Sequence, residues 1–167
     1  MIGGWVMGIV YKSKKIIKTI SWILVLLHLG LIFYFSSEPA VESEEISTNV
    51  TEIVTQIVQR VTPKKESDLD IESLHHLIRK NAHFFLYLVL GVLVMNAMRR
   101  SGVYGSKGII LTILICVLYA ISDEFHQTFV LGRSGEVRDV IIDSAGVIVG
   151  ILEYLGLAKI VKRLCNS

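Results

Sequence analysis

The chain has 167 residues, of which 52% are hydrophobic, and its mean hydropathy is +0.58. This is enough for one domain, spanning 1–167, and too apolar for an ordinary soluble one. A net charge of only +2 gives no basic surface that would call for nucleic acid, and two cysteines without a C-x-x-C spacing exclude a disulfide framework or a cysteine metal site.

The apolar residues are blocked. Four stretches approach the roughly 20 residues needed to cross a hydrocarbon core about 30 Å thick. They run from Ile16 to Ser36, Asn81 to Met98, Gly108 to Gln127 and Asp139 to Leu157. The predicted architecture is therefore all-α, a polytopic membrane protein of about four transmembrane helices. The N-terminal basic and apolar run is too long for a cleaved signal peptide and has no small-residue cleavage site, so it reads as an anchor.

Lys12, Lys14, Lys15 and Lys18 lead into the first stretch, Arg99, Arg100 and Lys107 join the second to the third, and Lys159, Lys162 and Arg163 follow the fourth. The segment between the first and second stretches instead holds nine acids, from Glu38 to Glu72, against five basic residues. The positive-inside rule then predicts that both termini and the Arg99–Lys107 loop are cytoplasmic. Within the acidic segment, Ile46, Val50, Ile53, Ile57 and Val61 recur at helical spacing opposite Thr48, Glu52, Thr55 and Gln59. This predicts an extracytoplasmic amphipathic helix, ended by Pro63.

Ionisable groups inside a bilayer are costly and usually pair or line a wet cavity. In this topology the polar residues of the spans gather at one outer level. The second span begins with Lys80, His83 and Tyr87 on one helical stripe, and the third ends with Tyr119, Ser122, Asp123 and His126 on another, Glu124 being turned away. The fourth begins with Asp139 and Asp143 above Gly146 and Gly150, two glycines that permit close helix approach. Three stripes at one depth predict an outward-opening polar pocket with Arg133 and Arg138 at its rim. The candidate ligand-binding residues are Lys80, His83, Tyr87, Asp123, Glu124, Gln127, Arg133, Arg138, Asp139 and Asp143. Two helix N-termini and three basic side chains there suit an anion at headgroup level, such as an anionic lipid or a cell-wall precursor group. His28, alone in the first span, reads as a packing histidine.

FSSEPAVES after the first span, RKNAHFFLYLVLG opening the second, and YAISDEFHQTFVLGRSGEVRDVIIDSAGVIVG from the third to the fourth resemble the VanZ-like family of bacterial membrane proteins. The resemblance implies a multi-pass protein of the bacterial cytoplasmic membrane that lowers susceptibility to teicoplanin-type lipoglycopeptides. It carries family motif positions onto Lys80, His83, Tyr87, Asp123, Glu124, Gln127, Gly132, Arg133, Asp139, Asp143, Gly146 and Gly150. The implied partners are the bilayer and an anionic lipid, a wall precursor or the drug; at 18.7 kDa a homo-oligomer stays open.

A second reading is a metal-dependent hydrolase of a lipid-linked phosphate. Asp123, His126, Asp139 and Asp143 are its candidate metal ligands, and His83, Asp123 and Glu124 its catalytic candidates. The chain has no H-E-x-x-H or nucleophile-elbow motif, which argues against an enzyme and against a cofactor.

Overall fold

A computed structural model describes residues 2–38 and 71–165. It holds four helices, α1 (Ile2–Ser37), α2 (Ile71–Arg100), α3 (Gly105–Gln127) and α4 (Val137–Cys165), and no strand among the described residues. The amphipathic stretch expected over Ile46–Val61 lies outside them. Each helix contains a segment long and apolar enough to cross a membrane: Ser13–Ser37, Lys80–Arg100, Gly105–Gln127 and Val137–Cys165. The helices overrun the apolar blocks at several ends, because a helix persists through the polar flanks of a span once its hydrocarbon segment has nucleated it.

Large apolar side chains are exposed along all four helices, among them Leu26, Leu27, Phe85, Ile110, Leu118, Phe125, Leu152 and Leu157. A water-soluble bundle does not leave apolar faces this extensive uncovered, whereas lipid tails solvate them at no cost. The chain is a multi-pass membrane protein.

The core lies between the helices, with Val25 and Ile32 from α1, Tyr87, Leu90, Val94 and Met95 from α2, Cys116 and Ala120 from α3, and Val147 and Ile151 from α4. Glycine sets the approach of α2 to α4. A Cβ on Gly146 would overlap the Phe84 carbonyl oxygen and one on Gly150 the Leu88 carbonyl oxygen, while a Cβ on Gly91 would stand 2.6 Å from the Val147 oxygen. The two backbones therefore touch where side chains would otherwise separate them.

The connection between α2 and α3 is a four-residue turn closed by a Schellman motif. Gly102 has a φ of +85° and donates to the Arg99 carbonyl at 3.1 Å, and Val103 donates to that of Met98 at 3.0 Å. Beside that turn, Asn96 donates to Ser21 at 3.2 Å, Tyr154 donates to Asn96 at 3.3 Å, and Trp22 donates to Ser101 at 3.0 Å. Polar contacts thus occur at both ends of the bundle, which corrects the expectation that they gather at one. Asn96 escaped notice because it is uncharged within an otherwise apolar run.

His28 behaves as a packing histidine: its Nε2 donates to the Leu86 carbonyl at 2.9 Å and ties α1 to α2. Tyr119 does the same between α3 and α1, donating to the Leu29 carbonyl at 2.6 Å.

Candidate functional site

At the other end of the bundle α1 and α3 finish while the spans of α2 and α4 begin. Residues 128–136 fold over that end through successive turns, Phe129 to His126, Val130 to Gln127 and Arg133 to Val130. Two glycines make this loop possible. Gly132 has a φ of +77°, a left-handed conformation that side chains resist. Gly135 sits so near α3 that a Cβ would lie 2.5 Å from the Glu124 carbonyl oxygen.

Two polar clusters occupy this end. The first is a buried knot around Asp123, whose Oδ2 accepts from Ser36 at 2.9 Å and from Tyr87 at 3.3 Å. It joins α1, α2 and α3 through one carboxylate, since all three side chains are almost wholly buried. Ser36 belongs to the FSSEP segment and is a partner that charge and spacing alone did not single out.

The second cluster surrounds a partly enclosed cavity of about 20 Å³. Lys80 and His83 border it from α2, Glu124 and Gln127 from α3, Arg133, Ser134 and Glu136 from the loop, and Asp139, Ile142 and Asp143 from α4. Lys80 makes ion pairs with Asp139 at 2.8 Å and Glu136 at 3.3 Å, bridging α2 to the start of α4. Glu124 accepts from Gln127 at 3.2 Å and from the Glu136 backbone N–H at 3.0 Å. It therefore holds down one of the amides that precede α4, where a carboxylate is favoured by the helix dipole. Arg133 donates to the Phe35 carbonyl at 3.1 Å, capping the last turn of α1. Asp143 is fully buried, and neither of its carboxylate oxygens has a hydrogen-bond partner.

Of the residues singled out from sequence, Lys80, His83, Glu124, Gln127, Arg133, Asp139 and Asp143 border the cavity. Tyr87 and Asp123 stand outside its lining, bonded to each other. Arg138 is exposed and is also outside it. Glu124 is not turned away: one residue from Asp123 it points about 100° around α3, which aims it at the loop and α4 while Asp123 faces α1 and α2. Both directions are buried because α3 has neighbours on both sides.

Glu136 and Ser134 were missed. Glu136 shares the spacing of Asp139 and Asp143 and lies one residue before α4, so the same periodicity extended by one step reaches it. His126 turns away from the carboxylates to α1, where it stacks on Phe33 with ring centroids 4.6 Å apart and meets Ser37 at 3.2 Å. The set Asp123, His126, Asp139 and Asp143 therefore does not assemble around one point. Among the described residues no group of three or more histidine, cysteine, aspartate or glutamate side chains is placed to hold a metal ion. Chemically, the cavity is a small hydrogen-bonding site walled by opposed charges.

A sequence model of the family described as VanZ/LLP1 matches residues 21–161, which takes in the second and third spans, most of the first and fourth, and both polar clusters. No curated protein and no solved structure matches the chain.

Proposed function

The chain belongs to the VanZ/LLP1 family, and from that premise we propose that it lowers the susceptibility of a bacterial envelope to teicoplanin-type lipoglycopeptides by engaging an anionic lipid or cell-wall precursor group in the polar cavity. The observation that carries this reading is the convergence of charged side chains from α2, α3, α4 and the loop at one end of a membrane bundle. In the orientation favoured by the basic segments, that end faces outward in the cytoplasmic membrane, at the level of lipid headgroups and lipid-linked wall precursors. Arg133 supplies the guanidinium at the cavity border, and a planar fork of N–H donors suits a phosphate or carboxylate. Lys80, held by Asp139 and Glu136, sets the shape of the wall instead.

Deleting the gene in its host and measuring inhibitory concentrations for teicoplanin beside vancomycin tests the function. A several-fold gain in teicoplanin susceptibility with little change for vancomycin is expected. Equal changes, or none, count against a role that depends on the drug's acyl chain.

Orientation is tested separately by single-cysteine labelling in intact cells with a membrane-impermeant maleimide. Ser134→Cys, in the loop over the cavity, is expected to react from outside, and Gly105→Cys, the first residue of α3 beside the α2–α3 turn, only after permeabilisation. The reverse pattern would remove the basis for an outward-facing site.

A further inference from the structure

The lining is more acidic than basic. Glu124, Glu136, Asp139 and Asp143 face it, against Lys80, Arg133 and the imidazole of His83. Three of the four acids are engaged: Asp139 and Glu136 by Lys80, and Glu124 by Gln127 and the Glu136 amide. Asp143 is the remainder, 0% exposed, bordering the cavity, with both carboxylate oxygens unmatched. Leaving a buried carboxylate without donors is among the more expensive arrangements available to a folded chain, and more so inside a membrane span. No donor among the described residues satisfies it, and one brought from outside would.

We propose that the cavity receives the primary ammonium group of a lipid headgroup on Asp143, with the headgroup phosphate toward Arg133. This rests on the proposed function above and names the chemistry of its ligand: a zwitterion carrying an ammonium as well as an anion. Size supports it. A cavity of about 20 Å³ accommodates a water molecule or the tip of a primary ammonium, and excludes a trimethylated one. Chemistry supports it also, because a primary ammonium brings three N–H donors and a full charge to a carboxylate whose two oxygens accept no hydrogen bond. Depth is consistent. Asp143 lies six residues into α4 from Val137, about 9 Å along the axis, so a headgroup need dip less than two turns below the helix end.

The test uses the full chain in nanodiscs of phosphatidylglycerol supplemented with phosphatidylethanolamine or with its trimethylated counterpart, phosphatidylcholine, the retained lipids being counted by native mass spectrometry. Phosphatidylethanolamine is expected to be retained at one per chain, about tenfold or more in preference to phosphatidylcholine, the margin set by losing charge-assisted hydrogen bonds. Asp143→Asn, which keeps the side-chain shape, is expected to erase the preference without altering helix content. Equal retention of the two lipids by the unaltered protein overturns the proposal, a result that needs no variant to fold. So does a preference that survives in Asp143→Asn. Retention of phosphatidylglycerol alone sinks the ammonium assignment but leaves an anion-binding cavity standing, whereas retention of no lipid removes both.

Discussion

Gly150→Leu is expected to force α2 from α4 and to destabilise the bundle by about 3 kcal/mol or more, the upper part of the range for overpacking. The reason is geometric. A Cβ alone at Gly150 would overlap the Leu88 carbonyl oxygen, with the Leu88 carbonyl carbon at 3.0 Å, and backbone atoms within a helix cannot turn aside as a flexible side chain can. Gly146 presents the same obstacle one turn earlier, against Phe84, so even Gly146→Ala should be costly. Separation of the two helices would also part Lys80 from Asp139, since the glycines and that ion pair join the same two elements. Gly156→Leu is the control: nothing lies within 4 Å of a Cβ there, and leucine favours a helix over glycine by up to roughly 1 kcal/mol. Unfolding in mixed micelles, followed by circular dichroism against the mole fraction of denaturing detergent, measures all three. Equal stability of Gly150→Leu and Gly156→Leu would mean that α2 and α4 do not pack by these faces.

The architecture was legible because a membrane span is written in composition. About 20 apolar residues in a row leave few alternatives. The stripes on α2 and α4 were legible for a related reason: each meets the cavity along a single face, so helical periodicity projects Lys80 and His83, or Asp139 and Asp143, to one side.

Periodicity failed on α3, which buries two faces. Asp123 and Glu124 are adjacent and both buried, one facing Ser36 and Tyr87 and the other the loop. Spacing fixes the angle between side chains but not which neighbour each angle meets. His126 shows the same limit, since it lies only about 60° from Asp123 around the helix and yet packs on α1. Ser36 and the carbonyl acceptors Leu86, Leu29 and Phe35 were beyond reach for another reason. Their roles depend on a tertiary partner, and nothing in their own chemistry distinguishes them beforehand.

Lys80→Met is expected to destabilise the bundle by on the order of 2 kcal/mol, and Asp139→Leu introduced into the same chain is expected to restore much of the loss. Breaking a fully buried ion pair costs about 3–5 kcal/mol because a desolvated charge is left behind. Here the side chains are 15% exposed for Lys80 and 21% for Asp139, and 40% for Glu136, so water reaches the abandoned carboxylates and the cost is smaller. The loss still exceeds that of a surface pair, because Asp139 would then stand near Asp143 and Glu124 without the ammonium that separates them from net repulsion. Removing Asp139 along with Lys80 withdraws one of those negative charges and replaces the pair by apolar side chains, which is often close to neutral. A double-mutant cycle by the same unfolding measurement reads the coupling directly, with an interaction energy of roughly 1–2 kcal/mol expected for a partly buried contact. A coupling near zero would show that Lys80 contributes through Glu136 or through packing of its methylene stem, and that the Lys80–Asp139 pair does not help to join α2 to α4.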